Sequence, residues 1–181
     1  MARSEWPRAE RARANPIALA AGALLPVAAA ALLGQRATLP NLAPWYAALA
    51  KPTFNPPNAI FGPVWGVLYG SMAYAAWRIL RHAPAGAERR VALTLFFMQL
   101  ALNAAWSWCF FGLHRPLLGL VDIVPQWLLI LATITRFWRL DRRGGASLVP
   151  LALWVAFAGV LNFAIWRLNP TAYRIGPAWN D

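Results

Sequence analysis

The stretch Lys51-Pro52-Thr53-Phe54-Asn55-Pro56-Pro57-Asn58-Ala59-Ile60-Phe61-Gly62-Pro63-Val64-Trp65 interrupts a chain otherwise built of long apolar runs. Pro56 and Pro57 remove two backbone donors and fix two φ angles, so an ordered, non-helical segment must deliver the chain into the next apolar run at a defined angle. It reads as a shaped lid or the lead-in to a helix. On either side lie runs of mainly apolar residues close to the roughly 20 needed to cross about 30 Å of hydrocarbon. They cover 16–36, 60–80, 91–113, 117–138 and 147–167, and Asp122 is the only acid inside them. None carries the charged stripe of a soluble amphipathic helix.

Bulk composition agrees. Of 181 residues, 60% are hydrophobic and 13% charged, well outside the soluble range. The expected fold class is an all-α membrane protein, a five-transmembrane-helix bundle over 16–169. A basic arm over 1–15, expected to be disordered, precedes it, and a tail over 170–181 follows. The first run sits behind Arg3, Arg8, Arg11 and Arg13, as a signal peptide would. That basic region is long, however, and Gly34-Gln35-Arg36 is a poor small-residue cleavage site, so the run is read as a retained span. A net charge of +11 would suggest nucleic acid in a soluble protein, but its distribution says otherwise. One set of flanks holds those four arginines with Arg78, Arg81, Arg89, Arg90, Arg136, Arg139, Arg142 and Arg143. The alternate flanks hold only Arg36, Lys51, Arg115, Arg167 and Arg174. The asymmetry fits five crossings with a cytoplasmic N-terminus and the Pro-Pro segment on the opposite side.

Several chemistries lose support. The lone cysteine, Cys109, excludes an intramolecular disulfide and a cysteine-based metal cluster. His82 and His114 sit at helix ends without acidic or cysteine partners nearby in sequence, so they read as surface histidines and no metal is expected. Phosphate-binding loops, nucleophile elbows and paired-carboxylate motifs are missing from the sequence. The connection 37–59 is long enough to be a functional lid, and within it Trp45 and Tyr46 are either interface anchors or the roof of a cavity. The short connections 82–90, 114–116 and 139–146 predict that the second to fifth helices are sequential antiparallel neighbours.

Eleven tryptophans are the second strong signal. Interfacial belts account for Trp138 and Trp166 beside Arg139 and Arg167, but not for Trp65, Trp106 and Trp154 inside the spans. Trp65, Tyr69 and Met72 share one helical face, as do Gln99, Asn103 and Trp106, and Trp154, Ala158, Leu161 and Asn162. Amides at lipid depth are costly unless they face the bundle, so Gln99, Asn103 and Asn162 are expected to point inward. They either glue helices together or orient a guest. With the indoles they describe a pocket for a flat, largely apolar ligand. Asp122, near the start of the fourth span, is read as a structural carboxylate, with a proton site as the alternative.

These residues carry a family resemblance. Trp45 through Pro57, then Gly62-Pro63-Val64-Trp65 with Leu68-Tyr69, resembles the first-loop and second-helix signature of the TspO/translocator protein family, also called tryptophan-rich sensory proteins or peripheral-type benzodiazepine receptors. Gln99 through Trp106, Phe110-Phe111-Gly112, Leu120-Val121-Asp122, Leu153 through Phe157 and Leu161 through Arg167 are similar to its later helices. The resemblance implies a five-helix bundle, usually dimeric, that binds porphyrins and in some members sterols. Its pocket opens under the first loop. Trp65, Asn103 and Trp154 match pocket residues, with Tyr69, Trp106, Cys109 and Ala158 on the same walls and Phe54 and Tyr46 above. Trp65 and Trp154 also match tryptophans implicated in light-dependent porphyrin breakdown, which makes them the candidate catalytic residues.

On this basis the chain is expected to be a multi-pass protein, with a bacterial inner membrane as its expected location. It would act as a tetrapyrrole-binding receptor or regulator with porphyrin or haem as ligand, no required cofactor, and lipid and a second copy as partners. The alternatives are a porphyrin-degrading enzyme and a porphyrin or sterol transporter. Phe54 stands where a tryptophan is often found, and Phe163 replaces the tyrosine of the family's sterol-recognition stretch, which weakens a sterol reading. Small residues Ala101 and Ala105 offer a dimer face.

Overall fold

A computed structural model describes residues 15–170; the expectations for the basic arm and the tail concern segments outside the described residues, apart from Asn15 and Pro170 at their edges. Five long helices and one short one make up the fold: α1 Pro16–Thr38, α2 Asn58–His82, α3 Ala87–Ser107, α4 Pro116–Leu140, α5 Arg142–Ala146 and α6 Val149–Leu168. There are no strands among the described residues.

The start of α1 follows from its first two residues. Asn15 Oδ1 accepts from the Ile17 N–H at 2.9 Å, and Pro16 occupies the first turn, where its missing donor costs nothing. Beyond Thr38 the chain runs through a 3₁₀ turn at Leu39–Asn41 and a wide turn at Leu42–Tyr46 that is broken by extended backbone at Ala43. Asn41 Nδ2 secures the first of these by donating to the Ala37 carbonyl at 2.8 Å. The expected 37–59 loop is therefore much shorter, and begins only after Tyr46.

That loop lies along the outside of α6. Asn169, just past α6, exchanges two 2.9 Å hydrogen bonds with the Ala50 backbone, and four residues later Phe54 meets Phe157 with ring centroids 6.4 Å apart. Twelve residues, about 18 Å of helix, separate Phe157 from Asn169, and the four residues from Ala50 to Phe54 span at most about 14 Å, so the loop runs along α6 with the two phenyl rings closing the remaining gap before α2 starts at Asn58. Backbone laid along a spanning helix must not strand donors. Pro52, Pro56 and Pro57 have none to strand, and the Asn55 N–H turns back to the Pro52 carbonyl at 3.0 Å. The prolines that first mark this stretch thus leave few backbone donors for the rest of the loop to satisfy.

Among the described residues, four segments are long and apolar enough to cross a membrane: Pro16–Tyr46, Ala87–Gly112, Pro116–Leu140 and Arg142–Leu168. Helix α2 is long enough at 25 residues, but Asn58, Ser71, Arg78, Arg81 and His82 dilute its apolar character, and it is not among the four.

Helix α1 lies between α2 and α3, which touch each other little, while α3 packs on α4 and α4 on α6. The expected sequential order therefore fails for the α2–α3 pair. The cause is the narrow face of α1: its buried residues are Ala23, Val27, Ala30, Gly34 and Ala37, small enough for two helices to approach closely. Below, Met72, Ala75, Ala76, Ile79, Phe96, Leu100, Ile130 and Phe137 form a tightly packed core, with Phe96 and Phe137 stacked at 5.7 Å.

The short α5 was not expected, since the sequence around Arg142-Arg143-Gly144-Gly145 reads as loop. Asp141 makes it. Its Oδ1 accepts from the Gly144 N–H at 2.7 Å and from Arg78 Nε at 3.1 Å. One carboxylate thus caps α5 and ties it to α2. The hydrogen bond from Arg78 holds the Asp141 carboxyl below its ordinary range. Gly145 permits the close approach: a Cβ there would lie 2.7 Å from the Trp138 backbone nitrogen. This end of the bundle gathers Arg78, Arg81, Arg89, Arg90, Arg136, Arg139, Arg142 and Arg143.

Candidate functional site

Between α1, α2, α3 and α6, beneath the turn at Leu42–Tyr46, lies a cavity of about 570 Å³. Each wall comes from a face that the periodicity singled out, except one. Helix α2 contributes Trp65 and Tyr69, α3 contributes Asn103 and Trp106, and α6 contributes Trp154, Ala158 and Asn162, with Tyr46 above. The unexpected wall is α1, through Ala31, Gly34, Gln35 and Thr38. Its sequence carries no aromatic or amide stripe that could have announced it.

Aromatic contacts order the indoles. Trp65 and Tyr69 lie with ring centroids 5.3 Å apart, Phe61 meets Trp154 edge-on at 5.8 Å across α2 and α6, and Trp106 stacks on Phe110 at 5.1 Å. Phe61 was missed, although it sits one turn before Trp65 on the same face.

The polar groups divide by task. Asn162 is saturated by protein: Oδ1 accepts from Trp106 Nε1 at 3.0 Å, and Nδ2 donates to the Pro116 carbonyl at 2.7 Å. It fixes the tilt of Trp106 and stitches α6 to the start of α4. Asn103 Oδ1 accepts from the Tyr69 hydroxyl at 2.8 Å, and its Nδ2 makes no hydrogen bond among the described residues. That amide is a donor facing the cavity. Gln99, although buried as expected, lies off the cavity wall; its Nε2 reaches only Met72 Sδ at 3.9 Å and its Oε1 is unpaired.

Other expected positions fall elsewhere. Cys109 belongs to the wide turn Trp108–Gly112 and is not on the cavity wall, because that turn rotates it away from the side of α3 that carries Asn103 and Trp106. Phe54 seals the outside of α6 against Phe157 rather than plugging the cavity. Met72, one turn below Tyr69, is core. Asp122 is half-buried on α4 with Oδ2 unpaired and lies away from the cavity.

Trp45 and Tyr46 separate in role. Tyr46 is roof, its hydroxyl donating to Asn55 Oδ1 at 3.2 Å. Trp45 is packing: it lies against Phe110 and Phe111 and stacks on His114 at 4.5 Å. His114 is therefore no surface histidine. Its Nε2 is 2.7 Å from Asn41 Oδ1, and burial pushes its pKa down. Lys51 lies 4.6 Å from the Tyr46 ring centroid and donates to the Ala47 and Leu49 carbonyls at 3.2 and 3.0 Å. The roof is thus closed by a cation–π contact and backbone carbonyls, and its partial burial lowers the Lys51 pKa.

Chemically, among the described residues, the cavity offers π-faces, the partner-free amide donors of Asn103 inside and of Gln35 and Asn58 at its exposed edge, and no charged side chain on its wall. Comparison with known proteins is consistent with this geometry. A family model described as the TspO/MBR family matches residues 22–167. Tryptophan-rich protein TspO of Chlorobaculum tepidum is 44% identical over 132 residues, covering 72% of this chain and 84% of the relative. Translocator protein of Homo sapiens is 36% identical over 126 residues, covering 69% and 75%. Tryptophan-rich sensory protein of Cereibacter sphaeroides is 38% identical over 125 residues, covering 69% and 77%.

Proposed function

Because the chain belongs to the TspO/MBR family of multi-pass membrane proteins, we propose that it is a tetrapyrrole receptor whose cavity takes a porphyrin-type ring. The observation that carries this reading is the convergence of Trp65, Trp106 and Trp154, from three helices, on one cavity of about 570 Å³ with Asn103 as a buried donor free of protein partners. Indole faces attract a planar π-system and exclude water, and a single amide suffices to orient it.

All five long helices cross the membrane in this reading. For α2 the support is its length and its place in the bundle, packed on α1 along an apolar face. The arginine-rich end faces the cytoplasm by the positive-inside rule, which puts the cavity in the opposite half of the bilayer. Ala101, exposed on α3, leaves a small-residue face for a second copy.

The test is absorbance of the detergent-solubilised protein with a panel of porphyrins, haem and sterols. A red-shifted Soret band that saturates at one ring per chain is expected with free-base porphyrin, and a sterol in excess should not reverse it. A Soret band identical to that of porphyrin in empty detergent micelles would end the reading.

A further inference from the structure

We propose that the cavity exchanges its ligand sideways with the hydrocarbon of the bilayer, through a window between α1 and α2 whose sill is Gly62 and Gly66. The inference rests on the reading of the cavity as a ring-binding site and adds the route and the physical state of the ligand: dissolved in lipid, not in water.

The antiparallel pair α1–α2 is closed at one end and open at the other. Near Gly22 the helices touch, since a Cβ there would meet Leu80 at 3.7 Å, whereas at Gly34 the 3.1 Å approach is to Ser107 Oγ of α3. At Gly62 and Gly66, one turn apart on α2, a Cβ would meet nothing within 4 Å. Both glycines line the cavity and both are exposed, as is Gln35 on the α1 side. An exposed residue on a cavity wall marks a mouth. Glycine in mid-helix costs about 1 kcal/mol relative to alanine, and two of them here keep the mouth clear of side chains.

The surroundings of the mouth identify the medium outside. Leu39, on the cavity wall, is 62% exposed, and Leu32, on the same face of α1, is 61% exposed. A rim of aliphatic side chains at the level of two spanning helices faces acyl chains. The roof, by contrast, is closed by Tyr46, Lys51 and Asn55. A flat apolar guest that partitions into lipid reaches the indoles through this rim without the loop having to open.

The experiment uses the full chain in phosphatidylcholine vesicles, with protoporphyrin IX as probe and stopped-flow tryptophan quenching as readout. The Gly62→Leu/Gly66→Leu variant fills open space and improves helix propensity. Association and dissociation are both expected to slow, by about tenfold or more. Rates equal to those of the parent, or faster dissociation, would overturn the window. A second measurement does not depend on binding: a bimane attached at Gly66→Cys in a Cys109→Ser background is expected to be quenched by acyl-chain-brominated lipid. Quenching by aqueous iodide instead would place the mouth in water and overturn the proposal. If the parent shows no porphyrin quenching at all, the ring-binding reading falls and the window with it; quenching in the parent with unaltered rates in the variant removes the window alone.

Discussion

Asn162 and Asn103 are the same residue type at the same cavity, yet the structure gives them different work. Asn162 bonds through both ends of its amide to protein, so Asn162→Leu strands the Trp106 indole N–H and removes the tie from α6 to the Pro116 carbonyl. A loss of about 1–3 kcal/mol is expected, read as a lower thermal midpoint in detergent; an unchanged midpoint would mean that the pair contributes nothing. Gly119→Ala attacks the same pair from outside, since its Cβ would fall 2.8 Å from Asn162 Oδ1 and 3.2 Å from Trp106 Nε1. It is expected to destabilise to a similar degree. Asn103→Leu should instead leave stability closer to that of the parent and weaken porphyrin binding. That amides at lipid depth face inward was legible, because polar groups there are costly. Their division into glue and ligand donor was not, since it depends on partners 34 and 56 residues away in sequence.

Among the elements, α5 shows how a short helix can be hidden in a composition that reads as loop. Its two glycines cost about 1 kcal/mol each in helix propensity, which outweighs the two favourable arginines, and only Asp141 as N-cap, accepting from the Gly144 N–H three residues on, marked the start. Because Asp141 is held below its ordinary pKa by Arg78, its contribution to stability is full above the unfolded-state value of about 3.9. It is lost as pH falls through the lowered folded-state value. Thermal midpoints of the parent and Asp141→Asn should therefore differ at neutral pH and converge on acidification; a gap that widens on acidification would contradict the assignment. Gly145→Ala, whose Cβ meets the Trp138 backbone, is expected to destabilise at every pH. The Pro-rich segment was legible as shaped and non-helical, but its course along α6 depends on the Asn169–Ala50 and Phe54–Phe157 contacts, which join residues more than 100 positions apart.

For the whole molecule, hydropathy and the aromatic stripes were enough to place Trp65, Tyr69, Asn103, Trp106 and Trp154 around one space. They could not place α1 between α2 and α3, because a face of alanine and glycine carries no periodic signal distinct from lipid-facing alanine. The fourth wall and its window follow from that placement. The central claim is that indoles on α2 and α6 hold a planar ring between them. Its most direct test is a protoporphyrin titration read by intrinsic fluorescence in the parent and in the Trp65→Ala/Trp154→Ala variant. Each indole is worth about 0.5–1.5 kcal/mol of aromatic contact, so affinity is expected to fall about 5- to 150-fold in the double variant, with the fold intact by circular dichroism. Equal affinity in the two proteins would contradict the account.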